Sequence, residues 1–276
     1  MPELPEAETI ARGLDAVLPG RVIASVTVLR DDVVKGPPGA FAAALPGRQF
    51  RDVGRRGKNV VFTFDDESRL VINLGMTGRI LSGPGPDPAR LTTHPAVHFH
   101  LADGGCMTYD DIRRFGLLTF IPGAAWRDWS RRLGPEPLAR SFTARLLRRT
   151  LSRCRAPVRS LLLDQRKIAG VGNIYAVEAL WFARIHPATP ANEIGQEAAA
   201  RLHRSVRKVL RRAIRAGGTT LRNYRNAEGD VGRFGRALHA YGRADEPCVR
   251  CRTPIERIVF GGRSAFFCPR CQAAPP

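Results

Sequence analysis

Two prolines and two acids open the chain, in the order Met1-Pro2-Glu3-Leu4-Pro5-Glu6. Removal of Met1 leaves Pro2 with an α-amine, whose pKa of about 8 is well below the ~10.4 of a lysine side chain. A useful fraction of such an amine is uncharged at neutral pH, so it can attack an electrophilic sugar carbon and form a Schiff base. Glu3 can move the proton in that reaction. The structural alternative is that these residues only begin a helix, where proline and acids are both favoured.

Four cysteines near the end of the chain have the zinc-ribbon spacing Cys248-x2-Cys251-x16-Cys268-x2-Cys271. Disulfides or unliganded thiols are the alternative. This segment is too short to own a core, and small domains of that kind fold around a metal. We therefore predict one structural zinc ion, whose four thiolate ligands leave no position for catalysis. Cys106 and Cys154 lack such partners and are expected to be ordinary buried or half-buried thiols.

Two glycine-rich segments of the C-terminal half could contact phosphate. Phe260-Gly-Gly-Arg263 between the cysteine pairs predicts a hairpin turn with an arginine at its tip. Gly170-Val-Gly-Asn173 predicts a turn that opens a helix, and the N–H groups at a helix N-terminus bind anions. An ordinary exposed arginine and a turn required only for packing are the respective alternatives.

Two patches of the N-terminal half combine apolar residues with arginine, around Met76 and at Arg113-Arg-Phe115. Met76 and Phe115 are either core residues or wedges that fill the gap left by an extruded base, with Arg113 bonded to the orphaned partner base. Lys58 is one of only four lysines among 44 basic residues. Because lysine can lose its proton and arginine in practice cannot, Lys58 is a candidate for phosphate contact or proton transfer.

The charge of the chain is concentrated in one half. The 276 residues carry a formal net charge of +19, and residues 151–276 hold 23 basic and 9 acidic residues, a net +14. This excess predicts a polyanion as partner, with nucleic acid favoured over a membrane surface or a mere solubility effect. No apolar run approaches the ~20 residues of a membrane span, and the N-terminus is acidic where a signal peptide is basic. We expect a cytoplasmic protein.

The elements that position these residues change character near Gly134-Pro-Glu-Pro137, a predicted hinge. Before it, a helix over residues 6–18 is followed by alternating β-branched runs, which predict a β-sandwich. These runs are Val22–Leu29, Val60–Phe64, Leu70–Leu74 and Val97–Leu101, with a surface loop at Gly83–Pro88. After the hinge the apolar period is helical, and Gly217-Gly218 ends the helix that contains Leu202 and Val206.

Taken together, these motifs resemble the formamidopyrimidine-DNA glycosylase family of bifunctional repair enzymes. The resemblance covers nearly the whole chain, in the order Pro-Glu-Leu-Pro-Glu6, Arg-Arg-Gly-Lys58, Leu-Gly-Met76, Arg113-Arg-Phe115-Gly, Gly-Val-Gly-Asn173-Ile-Tyr, Gly-Gly-Thr-Thr220, Tyr241-Gly-Arg243 and the zinc ribbon. It implies an α+β fold with a catalytic β-sandwich domain over residues 1–130. A helix–two-turn–helix domain over 131–237 and a zinc finger over 238–276 would follow, with DNA in the cleft between the domains.

The resemblance also implies the chemistry. Pro2 would attack C1′ of an oxidised purine nucleotide, 8-oxoguanine or a formamidopyrimidine, in double-stranded DNA. Glu3 would act as general acid and base, and Lys58 would contact phosphate and support catalysis. The intermediate would collapse by β- and δ-elimination, and abasic sites would also be substrates. The protein would act as a monomer associated with the nucleoid.

Further residues receive roles from the same resemblance. Met76, Arg113 and Phe115 would fill the void in the duplex, Asn173 and Arg263 would hold phosphate, and Glu6 and Glu178 would support the lesion pocket. His94 and Arg159 are expected to contact DNA. The chain departs from the family at four places. Arg159 stands where the family usually has lysine, Asn73 where it usually has histidine, and Ile112 where it usually has proline. Asp230-Val231 stands where the loop over the flipped base often has proline. These departures leave the lyase chemistry intact and put the lesion preference in doubt.

Two alternatives remain open from the sequence. One keeps the chemistry but prefers oxidised pyrimidines, as in endonuclease VIII relatives, which typically begin Pro-Glu-Gly-Pro-Glu where this chain has Leu4. The other is a catalytically silent, zinc-containing binder of damaged DNA, which would need no α-amine on Pro2.

Overall fold

In this computed structural model, the described residues are 2–83, 85, 92–219 and 232–274. The chain divides into two compact units, Met1–Arg132 with Ala216–Arg233, and Leu133–Arg215 with Phe234–Pro276. Thr220, the Asp230-Val231 pair and most of the predicted loop at Gly83–Pro88 lie outside the described residues. The predicted three-domain boundaries at residues 130 and 237 stay a prediction.

The first unit begins with helix α1 (Leu4–Asp15), which starts two residues earlier than predicted. Glu3 is its N-cap residue, and Pro5 lies in the first turn, where the missing N–H of proline costs no hydrogen bond. Ala7, Ile10 and Leu14 are spaced three to four residues apart and all face the core. Burial of this apolar face, more than helix propensity, holds the helix against the sheets.

Two four-stranded antiparallel sheets form the body of the first unit. The first has the strand order β1 (Ile23–Val28), β6 (Pro95–Leu101), β7 (Cys106–Asp110) and β5 (Arg79–Gly83). The second has the order β2 (Phe50–Arg56), β3 (Asn59–Phe64), β4 (Arg69–Asn73) and β8 (Leu117–Ile121). One apolar core contains residues from both sheets and from α1. The predicted β-sandwich with a flanking helix is confirmed.

The second sheet of this sandwich is covered on both faces. Phe62 and Phe64 point into the main core, whereas Val61 packs with Trp126 and Trp129 on the opposite face. These two tryptophans belong to the short helix α3 (Trp126–Arg131), which follows β8, and their rings stack on each other. Another short helix, α2 (Pro38–Ala43), follows β1. Burial on both faces explains why β3 is apolar or neutral throughout instead of alternating.

In its described residues the second unit contains four α-helices: α4 (Ala144–Ser152), α5 (Val158–Leu163), α6 (Asn173–Ala183) and α7 (Gln196–Arg215). Helix α7 has the predicted amphipathic pattern, with Leu202, Val206 and Val209 buried, and it ends before Gly217 and Gly218, both with positive φ. Helix α6 is buried on nearly all sides, so it forms the centre of this unit. No helix of residues 2–83, 92–219 or 232–274 is long and apolar enough to cross a bilayer.

The C-terminal segment forms one hairpin of β9 (Glu256–Phe260) and β10 (Arg263–Phe267). Gly261 and Gly262 both have positive φ, as a two-residue hairpin turn requires, which confirms the predicted turn. The hairpin packs Ile255 and Ala265 against Val177 and Trp181 of α6. The small apolar core of the finger is therefore shared with a helix.

Candidate functional site

The N-terminal acids hold each other in place. The backbone N–H of Glu3 donates to Glu6 Oε2 at 2.8 Å, and the Glu3 side chain accepts from the backbone N–H of Glu6. The other oxygen of Glu6 accepts from the backbone N–H of Thr219 at 2.7 Å. Pro2, Glu3 and Glu6 are all buried. The reciprocal bonds fix the backbone that carries Pro2, and they give Glu6 a supporting part at this terminus.

Lys58 lies in the two-residue turn that joins β2 to β3, directly after Gly57 with its φ of 63°. This turn is tied to α1 because Arg55 donates to Glu8 Oε2 at 3.0 Å and to the Gly57 carbonyl at 2.8 Å. Burial works to raise the pKa of Glu8, but the bonds from Arg55 and Arg12 outweigh it and lower the pKa. The charged Glu8 therefore anchors the lysine turn to the helix that follows Pro2.

Asn73 links the lysine turn to the loop that carries Met76. Its Nδ2 donates to Asn59 Oδ1 at 2.9 Å, and its Oδ1 accepts from the Gly75 backbone N–H at 3.1 Å. Asn59 in turn donates to the Arg56 carbonyl. Asn73 is one of the departures from the family pattern, and here its amide supplies both a donor and an acceptor.

Asp111 organises the loop that carries Arg113 and Phe115. Its buried carboxylate accepts hydrogen bonds from the hydroxyls of Tyr109 at 2.9 Å and Thr77 at 2.5 Å. It also accepts from the backbone N–H groups of Gly116 at 3.0 Å and Arg113 at 3.2 Å. Burial and the Asp111 charge raise the pKa of Tyr109 well above its usual range, so the phenol remains a donor. The carboxylate thus joins the Thr77 and Arg113 loops.

The apolar side chains on these two loops are exposed. Met76 is 41% and Phe115 59% exposed, although the loops below them are fixed by hydrogen bonds. The Arg113 guanidinium lies 4.6 Å from the centre of the Phe115 ring, within the range of a cation–π contact. This result decides against the core interpretation of Met76 and Phe115. An exposed apolar pair on a rigid base is suited to insertion between bases.

Glycine is required where the two loops meet. A Cβ on Gly75 would lie 2.4 Å from the Phe115 carbonyl carbon, and Gly75 has a φ of 58°. A Cβ on Gly116 would lie 1.7 Å from the Tyr109 hydroxyl and 2.7 Å from the Asn73 carbonyl oxygen. The two backbones therefore approach more closely than any side chain allows.

His94 lies beside the same loop, with its ring exposed. Its backbone N–H donates to Asp110 Oδ1 at 2.6 Å, and its carbonyl accepts from the Asp111 N–H. It lines a cavity of about 560 Å³ together with Leu29, Arg30, Thr93, Pro95, Asp111, Ile112 and Arg114. Its predicted contact with DNA stays a prediction.

In the second unit, Asn173 and Arg159 form one network with the zinc-finger hairpin. Asn173 begins α6 after the N-cap Gly172, as the glycine turn predicted. Its Oδ1 accepts from Arg159 Nη2 at 2.8 Å, and its Nδ2 donates to the Ser264 carbonyl at 2.9 Å. Arg159 also donates to the carbonyls of Phe260 and Ser264, each at 3.3 Å.

Arg159 is only 1% exposed, which the sequence did not indicate. Burial lowers its pKa, and the nearby positive charge of Arg263 lowers it further. Two guanidinium groups that repel each other favour an anion beside them. Arg159 therefore positions Asn173 and the hairpin that carries the exposed Arg263, and its predicted contact with DNA stays a prediction.

Glu178 has a similar organising role. Its carboxylate is fully buried in α6 and accepts backbone N–H bonds from His239, Ala240 and Tyr241 at 2.9–3.0 Å. The His239 ring lies 3.2 Å from the same carboxylate. Glu178 thus holds the segment that enters the zinc finger, and its predicted support of a lesion pocket stays a prediction.

The four cysteines come together as predicted. Their sulfur atoms all lie within 4.8 Å of one another. Cys251 Sγ is 3.4 Å from Cys268 Sγ and 3.5 Å from Cys271 Sγ, far longer than the ~2.05 Å of a disulfide. Four clustered thiols suit a tetrahedral zinc ion. Such an ion, held by Cys248, Cys251, Cys268 and Cys271, would stabilise the finger and leave no open position for chemistry.

Trp181 and Arg250 attach this cluster to α6. Trp181 packs in one apolar cluster with Cys248 and Cys268. The Arg250 guanidinium lies 3.7 Å from the centre of an indole ring of Trp181, and its Nη1 donates to the Trp181 carbonyl at 2.8 Å. Sequence reasoning missed the roles of Asp111, Trp181 and Arg250. Asp111 begins the patch that contains Arg113 and Phe115, but nothing in that pattern gave its carboxylate a role, and no spacing or motif marked the other two.

The contact between Gly116 and Tyr109 gives a first prediction. We expect Gly116→Ala to destabilise the chain by about 1–3 kcal/mol, because the new methyl group must displace the Tyr109 hydroxyl or the backbone of Asn73. Urea unfolding followed by circular dichroism measures this change. Gly54→Ala is the control, since a Cβ there meets no atom within 4 Å. Equal stability of the two variants would contradict the close approach of the loops.

The buried carboxylate of Glu178 gives a second prediction. Glu178→Gln places an NH₂ group against backbone N–H donors and should destabilise the second unit by about 2–3 kcal/mol. Glu193→Gln, at an exposed carboxylate, should change stability by no more than about 0.5 kcal/mol. Calorimetry on both variants separates the two effects, and similar unfolding temperatures would refute the organising role of Glu178.

The cysteine cluster gives a third prediction. We expect one zinc ion per chain by elemental analysis, lost in Cys268→Ser and retained in Cys106→Ser. Removal of zinc by a chelator should change the fluorescence of Trp181, because the indole packs against two of the ligands. Trp181→Phe should abolish this response. A metal-free wild-type protein with an ordered finger would rule out the zinc site.

Comparison with known proteins places the chain in a family. Three family models match successive segments of the chain. They are the formamidopyrimidine-DNA glycosylase N-terminal domain over residues 1–118, the formamidopyrimidine-DNA glycosylase H2TH domain over 133–225, and the zinc finger found in FPG and IleRS over 245–274. The formamidopyrimidine-DNA glycosylase of Bacillus licheniformis is 41% identical over 276 residues, covering 99% of both chains. That of Chloroflexus aggregans is 44% identical over 275 residues, covering 99% of this chain and 98% of the relative.

Solved structures lead to the same family. A variant of Lactococcus lactis FPG in complex with DNA containing Fapy-dG has a TM-score of 0.92 and 32% identity, covering 99% of this chain and 100% of that chain. The complex of Lactococcus lactis Fpg with abasic-site DNA has a TM-score of 0.90 at 32% identity and the same coverage. The predicted α+β fold, the zinc finger and the family resemblance are confirmed. The chain belongs to the formamidopyrimidine-DNA glycosylase family.

Proposed function

We propose that this chain is a base-excision-repair DNA glycosylase with abasic-site lyase activity, acting on oxidised purines in double-stranded DNA. The observation that carries the proposal is the exposed pair Met76 and Phe115 on loops fixed by Asp111, beside Arg113. An enzyme that acts on a base inside a duplex must extrude it, and the unstacking costs a few kcal/mol. Burial of two large apolar side chains in the vacated space offsets about that amount.

The chemistry begins at Pro2. With Met1 removed, the Pro2 nitrogen attacks C1′ of the damaged nucleotide, the bond from C1′ to the base breaks, and the base leaves with a proton. Glu3 transfers protons during this step and the opening of the sugar ring. The resulting Schiff base acidifies the sugar C2′–H, so β-elimination and then δ-elimination expel the two phosphates and leave a one-nucleotide gap. The reciprocal bonds of Glu3 and Glu6 support this assignment because they fix the backbone of the nucleophile.

The protein would bind DNA through contacts with its phosphate groups. Lys58 lies in a turn that is anchored to α1, and it would contact a phosphate near the reacting sugar. In the second unit, Asn173 at the start of α6 and the exposed Arg263 would hold further phosphates, and the mutual repulsion of Arg159 and Arg263 favours an anion there. His94 would contact the backbone beside the Arg113 loop. The net charge of +19 suits this partner.

Oxidised purines, 8-oxoguanine and formamidopyrimidines, are the proposed substrates. Glu6 and Glu178 would support the lesion pocket through the backbone segments that they hold. The alternative of oxidised pyrimidines has one specific observation in its favour, since Lactococcus lactis Fpg has also been solved with DNA containing an oxidised pyrimidine. We propose that the protein acts as a monomer in the cytoplasm, on nucleoid DNA, with the division at residues 130 and 237 as its domain boundaries.

Borohydride trapping tests the nucleophile directly. Borohydride should reduce the Schiff base on a duplex with one 8-oxoguanine opposite cytosine and leave a covalent adduct on Pro2, in protein lacking Met1. Pro2→Gly, which keeps a primary α-amine, should lower base excision at least 10-fold with DNA affinity nearly unchanged. Pro5→Ala is the matched control, because Pro5 lies in the first turn of α1 and has no free amine.

The outcomes separate the candidate functions. An adduct on oxidised pyrimidine DNA but not on 8-oxoguanine would keep the mechanism and replace the substrate. Tight binding without an adduct on any lesion or abasic site would instead favour the silent binder. Unchanged turnover in Pro2→Gly would contradict the assignment of Pro2.

A further inference from the structure

Lys167 and Cys154 form a contact that the proposed function does not use. Lys167 Nζ lies 2.9 Å from Cys154 Sγ, at a thiol that is only 8% exposed. Lys167 is one of four lysines among 44 basic residues, so arginine is the usual cation of this chain. The cation beside this sulfur atom is therefore an amine, and not the guanidinium that carries most of the positive charge of the chain.

The backbone on both sides fixes this pair. Cys154 follows α4, with its N–H bonded to the Leu151 carbonyl at 3.0 Å and its own carbonyl accepting from Asn192 N–H at 2.9 Å. Lys167 lies in a turn closed by its N–H bond to the Asp164 carbonyl at 2.9 Å. Gly134 packs against this turn so closely that a Cβ there would lie 2.6 Å from the Lys167 carbonyl carbon. The contact therefore joins two fixed segments.

A cavity lies beside this contact, and Lys167 is part of its lining whereas Cys154 is not. It has a volume of about 390 Å³ and is lined by Lys167 and by Arg153, the neighbour of Cys154. The rest of its lining includes Arg149 and Arg166. A peroxide is small and neutral enough to enter such a cavity, and it would reach the Cys154 sulfur, at a residue that is 8% exposed, from beside Lys167.

We propose that Cys154 and Lys167 form a reversible covalent cross-link when the protein meets hydrogen peroxide. The Cys154 sulfur attacks one peroxide oxygen, the O–O bond breaks, and water leaves, which gives a sulfenic acid. The Lys167 nitrogen then attacks that sulfur, the S–O bond breaks, and a second water leaves with the hydroxyl and one amine proton. The product has an S–N bond: the sulfur has lost two electrons, and the peroxide has been reduced to water.

The choice of lysine follows from this chemistry. A guanidinium remains protonated and delocalised and is a poor nucleophile, whereas an amine can attack a sulfenic acid at contact distance. The cross-link shields the sulfur from irreversible oxidation to the sulfinic acid, and thiols can reverse it. It also ties the end of α4 to the turn that precedes Gly170 and the N-terminus of α6. The inference does not require DNA and stands apart from the proposed function.

Peptide mapping of the zinc-loaded full chain tests the proposal. After treatment with hydrogen peroxide and alkylation of the remaining thiols, digestion without reductant should yield the Cys154 peptide joined to the Lys167 peptide. The joined mass should be that of the two peptides less two hydrogen atoms. Dithiothreitol should restore both separate peptides, and the thermal unfolding temperature should rise with the cross-link and fall with its reduction.

Lys167→Arg is the matched variant, since it keeps the charge and removes the nucleophilic amine. In this variant, whose fold is checked by circular dichroism, Cys154 should proceed to the sulfinic acid. Cys106, which lies on β7 in the other unit, is the internal control and should not appear in any lysine cross-link. The proposal is overturned if wild-type Cys154 is recovered unmodified or as the sulfinic acid under conditions that oxidise other cysteines of the chain.

Discussion

A carboxylate removed from water must have its oxygens occupied by hydrogen-bond donors, and this constraint shapes the functional segments of the protein. Glu6, Asp111 and Glu178 are each at most 2% exposed, and each accepts from backbone N–H groups of residues that lie outside the helices and strands. A backbone N–H points in a fixed direction, so these bonds determine the path of the chain. Side chains that act on DNA can then project outward without being part of the core.

This arrangement explains how apolar side chains remain exposed in a stable protein. Met76 and Phe115 are only partly buried in the isolated chain, and hydrogen bonds among Asp111, Thr77 and Tyr109 below them help to hold their loops. Their burial remains available for the interaction with DNA. The zinc finger is too short to build an apolar core of its own. Four thiolates, together with the apolar contacts that the finger shares with α6, take the place of such a core.

Two of the departures from the family pattern, Asn73 and Arg159, use their side chains to form hydrogen bonds. Asn73 uses both ends of its amide, one toward Asn59 and one toward Gly75, to join two loops. Arg159 has more donors than the lysine that usually stands there, and it uses them on Asn173 and on two carbonyls of the hairpin. Arg159 thereby links α5, α6 and the hairpin of the finger.

The sequence by itself determined the features that depend on neighbours along the chain. The helix after Pro2, the strands around Val60 and Leu70, the Gly172-Asn173 turn and the zinc ribbon all follow from spacing and local chemistry. The sequence did not decide whether Met76 and Phe115 are buried, or that Arg159 is enclosed and Lys167 meets Cys154. Those outcomes depend on which distant segments come into contact, and a local pattern has no information about that. Only the tertiary structure fixes such contacts, because long-range packing and the need to satisfy every buried polar group select them together.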